Sequence, residues 1–137
     1  MPCCGVNHFM TRSDKLPIYI ATYQLIRDIH QYTTKFSREH KYTLGNTLNE
    51  SALELCALIS RANHSEDKSE YINTFMFQLE KTRVCLRLCA DLNLISCRAQ
   101  AYLAQTMESI TSQASAWYKA ERRKQQLKTS AGIKENE

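Results

Sequence analysis

INTFMFQLEKTRVCLRLCADL, residues 72–92, decides the fold. Its apolar residues Ile72, Phe75, Leu79, Leu86 and Cys89 stand three, four or seven positions apart, so they share one side of a helix. The same spacing recurs on either side of this stretch. Upstream it runs through Tyr19, Tyr23, Leu25, Ile26, Ile29 and Tyr32, then through Leu44, Leu48, Ala52, Leu55 and Ile59. Downstream it runs through Leu103, Met107, Ile110, Ala114 and Trp117. Four amphipathic helices must bury their stripes against one another, and short connections favour antiparallel neighbours. The expectation is an all-α, up-down-up-down antiparallel four-helix bundle. Three Gly and two Pro among 137 residues suit helices and argue against a sheet with many turns.

A chain of 137 residues supports one core. Residues 1–15 are polar and aperiodic and are expected to form a flexible arm, residues 16–128 the bundle, and residues 129–137 a flexible tail. The first helix is expected from Leu16 to about Lys35, with Asp14 as a cap and Pro17 in the first turn. A linker follows over residues 36–42, with a helical turn started by Ser37. The second helix runs from about Thr43 to Ala62, and the third from Asp67 to Leu92 with Ser65 or Asp67 as its cap. The fourth begins at a Ser96 cap and continues to about Leu127.

Residues 72–92 carry a second apolar strip, formed by Phe77, Val84, Leu88 and Leu92. A narrow polar seam of Arg83, Arg87 and Asp91 separates it from the core stripe. A helix that is apolar on two sides has more to bury than an outer bundle helix can. Because large exposed apolar patches are uncommon on monomers, the strip is expected to close an interface between copies of the chain.

The net charge of +4 matters less than its distribution. Lys119, Arg122, Arg123, Lys124 and Lys128 stand against Glu121 alone. Such a cluster can neutralise phosphates with a steep salt dependence, and it also suits a solvated helix end whose cations favour the dipole. Arg83 and Arg87, one turn apart, can meet consecutive phosphates or a partner's carboxylates, or can make exposed ion pairs such as Arg87 with Asp91.

Recognisable catalytic and cofactor patterns do not occur. There is no Glu-x-x-His of the di-metal bundles, no C-x-x-C, no phosphate-binding Gly loop and no G-x-S-x-G. Neither an enzyme, a metal nor a cofactor is expected. No apolar run reaches the length of a membrane span, and the N-terminus lacks a signal-peptide layout, so the expected location is cytoplasmic. Cysteines there stay reduced, and Cys56, Cys85 and Cys89 fall inside helical apolar patterns as small hydrophobes, with Cys97 at the start of the last helix.

Several segments resemble one bacterial family of four-helix bundle proteins. FSREHKYTLG (residues 36–45) is similar to the (L/F)-P-(R/K)-(D/E)-(H/E)-(K/R)-(F/Y)-x-L-G segment joining that family's first two helices, with Ser37 in place of the Pro. LEKTRVCLRLCADLNLI (residues 79–95) is similar to its L-x-x-x-R-x-x-x-R-L-L-x-D-x-x-L-I. The family includes proteins encoded by intervening sequences of large-subunit ribosomal RNA genes and the accessory variability determinants of diversity-generating retroelements. AWYK (residues 116–119) and LPIY (residues 16–19) with Thr22 and Tyr23 look most like the retroelement group. Asn46 and Asn49 stand where that group often has basic residues.

The resemblance implies a homopentameric barrel that binds the element's reverse transcriptase and its template RNA. Such a protein supports error-prone cDNA synthesis in mutagenic retrohoming without being the polymerase. The matched motifs carry this role onto Arg83, Arg87 and Lys119, and charge alone extends it to Arg122, Arg123 and Lys124. The alternative is a generic bundle scaffold, or an intervening-sequence protein with a protein or ribosomal RNA partner.

Overall fold

A computed structural model describes residues 15–135 of the chain, with side chains described as far as residue 132. Within that span the molecule is all-helical and without strands: α1 (Pro17–Thr33), a single turn α2 (Arg38–His40), a π-helical turn (Lys41–Gly45), α3 (Asn46–His64), α4 (Lys68–Asp91) and α5 (Cys97–Glu135). Helices α1, α3, α4 and α5 form the four-helix bundle, each packed on its neighbour in sequence, with α1 closing against α5. Residues 1–14 of the expected arm over residues 1–15, with Asp14, Cys3 and Cys4, lie outside the described residues, as do residues 136–137.

Cross-helix hydrogen bonds give the directions. The Asn49 amide donates to Thr33 Oγ1 at 2.9 Å. Ser51 and Thr82 hydroxyls pair at 2.7 Å, and Gln78 donates to the Ser51 carbonyl at 3.0 Å. Arg83 reaches Glu108 and Thr111, whereas Gln125 reaches Asp67 and Ser69, so residue numbers on α4 fall as those on α5 rise. Tyr102 donates to Asp28 at 2.9 Å while Trp117 packs beside Leu16 and Pro17, which sets α1 antiparallel to α5. The Ser51–Thr82 pair is buried in the core, where a mismatched register would leave its hydroxyls unsatisfied.

The core is the expected set of stripes: Leu25 and Ile29, Leu48 to Ala62, Ile72, Phe75, Leu79, Leu86 and Cys89, then Leu103, Met107, Ile110 and Ala114. The edges of the stripes differ from expectation. Tyr19, Ile26, Tyr32, Leu44 and Trp117 are only half-buried, and Tyr23 is 54 % exposed. The face of α1 that turns inward is centred on Leu25 and Ile29, flanked by Ile18 and Thr22, and Tyr23 lies beyond its rim.

Local sequence explains the ends of the elements. Asp67 caps α4, accepting from the Ser69 amide at 3.2 Å and the Ser69 hydroxyl at 2.7 Å. At the other end Asn93 adopts φ 62°, and the Asn93 and Leu94 amides donate to the carbonyls of Ala90 and Cys89. That is a Schellman closure with Asn in the left-handed position. Ser96 then caps α5, accepting from the Ala99 amide at 3.1 Å.

Two boundaries depart from the sequence expectation. The first helix ends at Thr33, and the next long helix is entered through α2 and the π-helical turn. The buried Phe36 ring packs beside Gly45 at this entry to α3, where an added Cβ would stand 3.4 Å from it. At the other end α5 continues to Glu135, past Leu127. Nothing in Thr129-Ser130-Ala131-Gly132 stops a helix: the Thr129 hydroxyl folds back onto the Gln125 carbonyl at 3.0 Å, and no Pro follows.

Candidate nucleic-acid and partner interface

Two surfaces hold the residues singled out by sequence. The first lies on α4. Arg83 points toward α5, where its guanidinium meets Glu108 at 2.6 Å and Thr111 Oγ1 at 3.3 Å, with Glu80 at 3.5 Å from its Nε. Its side chain is one-third exposed and the carboxylates it meets are about two-thirds exposed, so the bridge spans the α4–α5 edge at the surface. Arg87, one turn on, is exposed and makes no ion pair among the described residues, with Asp91 or any other. The two arginines therefore differ: one braces α4 against α5, and the other presents a free cation.

The second surface is the end of α5. Lys119, Arg122, Arg123, Lys124 and Lys128 are all exposed. Lys119 and Arg123, four apart, share the outward face of the helix, with Arg122 toward the α4 edge near Asp67. Lys124 lies round the helix from them, paired at 3.3 Å with the buried Glu121. Arg122 also lines an open groove with Gln125, Gln126, Thr129 and Ser130. Because Gln125 already faces the first residues of α4, the helix beyond it overhangs the bundle by roughly 15 Å at 1.5 Å per residue.

The structure does not gather these cations into one patch. Arg83 stands opposite Thr111, and Lys119 to Lys128 begin about 12 Å further along α5 at 1.5 Å per residue. Arg87 lies further away still, since α4 runs in the opposite direction. Trp117 and Tyr118 are half-buried against the core, which makes them packing residues first.

The second apolar strip is where the helical spacing places it. Phe77 is 71 % exposed, Val84 60 %, Leu88 47 % and Leu92 45 %, in one row on the outer side of α4. Sequence reasoning missed a second apolar feature, an open groove of about 400 Å³ between α1 and α3 lined by Tyr23, Ile26, Arg27, His30, Gln31, Asn49 and Leu53. The available signal was Leu53, which falls off the Leu48-Ala52-Leu55-Ile59 stripe and is 59 % exposed.

Cys85 and Cys89 are buried free thiols on the inner side of α4, and Cys97 is exposed. The hydrogen bond from Cys89 holds the Cys85 thiol down to about 7 and, together with burial, pushes that of Cys89 up. Among the described residues no three His, Cys, Asp or Glu side chains converge on a point, and no helix is long and apolar enough to cross a membrane.

The family described as bAvd-like matches residues 17–121, from the first residue of α1 to the basic segment of α5. No curated protein matches the chain.

Proposed function

The chain belongs to the bAvd-like family, and from that premise we propose that it is a non-catalytic accessory protein of a diversity-generating retroelement. In this reading it acts in the cytoplasm, as a homopentamer that binds the element's reverse transcriptase and its template RNA during mutagenic cDNA synthesis and retrohoming. The observation that carries the reading is the end of α5, where Lys119, Arg122 and Arg123 are exposed and free of ion pairs among the described residues. A phosphate backbone is the ligand such a row suits, because each neutralised phosphate releases counterions. A single copy offers few contacts. Five copies on one particle convert weak contacts into an avid one.

Arg87 is the α4 residue proposed to meet RNA or polymerase directly. Arg83 keeps a place beside it as the residue that ties this face of α4 to α5. Lys124 has part of its charge answered by Glu121 and contributes less.

The test is cDNA synthesis reconstituted with the reverse transcriptase and template RNA, alongside RNA binding across a salt series. Arg87→Glu combined with Arg122→Glu and Arg123→Glu should abolish cDNA output and flatten the salt dependence while the helical signal stays intact. Unchanged cDNA output from that folded variant overturns the site. Binding indifferent to salt in the unmodified protein favours the scaffold alternative, with a protein partner only.

A further inference from the structure

We infer that the outward face of α5 is a track for single-stranded RNA, running from Lys119 and Arg123 back to a pocket around Arg98 and Tyr102 at the start of the helix. This rests on the reading that the end of α5 meets RNA. At about 100° per residue Arg98, Gln105, Ser109, Ser112, Lys119 and Arg123 fall within about 80° of one another around the helix. Every one of them is exposed. They extend over about 38 Å at 1.5 Å per residue.

The solvent side of a long helix ordinarily carries charges of both signs. Here Glu108 is the single charged residue from Ala99 to Tyr118, in a chain that is 23 % charged. It stands at the α4 edge of the face, where Arg83 answers it at 2.6 Å. A strand of phosphates laid along the face meets cations at both ends and no unanswered carboxylate of α5 between them. The side chains of Gln105, Ser109 and Ser112 make no hydrogen bond among the described residues, whereas the hydroxyls of Thr106 and Thr111 fold back onto the carbonyls of Tyr102 and Met107. They are left to meet sugar and phosphate oxygens or base edges.

The pocket selects an unpaired strand. Tyr32, Ser96, Arg98, Ala99 and Tyr102 line an open hollow of about 340 Å³ at the α1–α5 edge. Tyr102 is 46 % exposed, yet its ring is held: the hydroxyl donates to Asp28 at 2.9 Å, and the other oxygen of that buried carboxylate accepts from Gln24 at 3.0 Å. Arg98 makes no ion pair among the described residues. A fixed aromatic beside a free guanidinium suits a splayed base on the ring with a phosphate on the arginine, and a base inside a duplex cannot reach it. A protein partner has less to gain on this face. Tyr102 and Leu127 are the only large apolar side chains exposed on α5 among the described residues, and Leu127 lies in the overhang.

The test is fluorescence anisotropy with single-stranded RNA of about 4 to about 20 nucleotides, a range that covers known single-strand sites. Affinity of the unmodified protein should rise with length until the strand covers the face, and a duplex of equal length should bind about tenfold more weakly. With circular dichroism unchanged, Tyr102→Ala should cost the long strands about tenfold and the shortest ones little, whereas Tyr102→Phe keeps the ring and the affinity. Arg98→Glu, at an exposed residue away from Asp28, should likewise remove the gain with length and lower the slope of log affinity against log salt by about one contact. Arg122→Glu with Arg123→Glu should weaken strands of every length. Long-strand affinity unchanged in Arg98→Glu overturns the track while leaving the end of α5 as the RNA site, and so does a duplex bound as tightly as the single strand. Loss of reverse transcriptase capture in Arg98→Glu with RNA affinity intact overturns it too, in favour of a protein partner on this face. An unmodified protein that binds no RNA of any length overturns the RNA reading itself.

Discussion

Phe75 and Phe77 stand two residues apart on α4, yet one is 2 % exposed and the other 71 %. Both faces of the helix are comparably apolar. The inner one is explained by the fold, since it meets α3 and α5 in the core. The outer one is not, because Phe77, Val84, Leu88 and Leu92 stay 45–71 % exposed. A side chain that contributes nothing to the monomer's core has to be accounted for by something outside it. A related division runs through the polar seam, where Arg83 bridges α4 to α5 and Arg87 makes no ion pair among the described residues.

The largest effect that can break this comparison is on stability. Phe75→Ala should destabilise the bundle by about 3–5 kcal/mol, the range for removing a large aromatic from a packed core. Phe77→Ala, measured by denaturant unfolding at a concentration where the chain is monomeric, should stay within about 0.5 kcal/mol. If both changes cost the same, the outer strip is part of the monomer's core after all. A cost confined to concentrations that favour assembly places Phe77 in the interface between copies.

Much of the inner face was legible in the sequence, because the three-and-four spacing from Ile72 to Cys89 survives any small error in helix ends. The outer strip was legible for the same reason. Other features were not. Tyr23 fits the spacing of the first helix as well as Leu25 does, yet it is 54 % exposed where Leu25 is buried, because which part of a broad stripe turns inward is set by the helices it meets. The groove it lines depends on two helices at once, and no single stripe encodes it. Arg83 and Arg87 look equivalent in sequence, since the carboxylate that distinguishes them, Glu108, lies 25 residues away on another helix. The overhang of α5 escaped notice because Thr129 to Gly132 resemble a tail while containing nothing that breaks a helix.

A smaller effect concerns the turn that ends α4. Asn93 holds φ 62°, a conformation that costs a residue with a Cβ about 1–2 kcal/mol unless it is suited to it, and Asn is among the residues that are. Asn93→Val should lower stability by about that amount. Asn93→Gly should leave the melting temperature unchanged or slightly raised, because glycine takes the left-handed position without strain. A loss with glycine as large as with valine shows that the asparagine side chain, and not its backbone, closes the turn.

The arginine pair sharpens the comparison at lower cost. Arg83→Ala removes the contacts to Glu108 and Thr111 and should reduce stability by about 0.5–1 kcal/mol, modest because the bridge is partly exposed to solvent. Arg87→Ala should leave stability unchanged. If Arg87 meets a phosphate, its loss reduces the slope of log affinity against log salt by about one contact. The inverse outcome, stability lost at Arg87 and salt slope lost at Arg83, exchanges their roles.

The smallest effect sits at the other end of α4. Hydrogen bonds from the Ser69 and Gln125 side chains hold the Asp67 carboxyl below its ordinary value, with the Ser69 amide and the Arg122 charge acting the same way. A carboxylate whose folded value lies below its unfolded one stabilises the fold in full above the unfolded value, about 3.9 for Asp. That contribution fades as pH falls below it and is gone once pH passes the folded value. Melting temperature followed from pH 6 downward should therefore drop in this acid range by more for the unmodified chain than for Asp67→Asn, which keeps a capping side chain but cannot titrate. Parallel profiles remove Asp67 from the account of why α4 begins where it does. The group is solvent-exposed, so the difference should also shrink as salt is added.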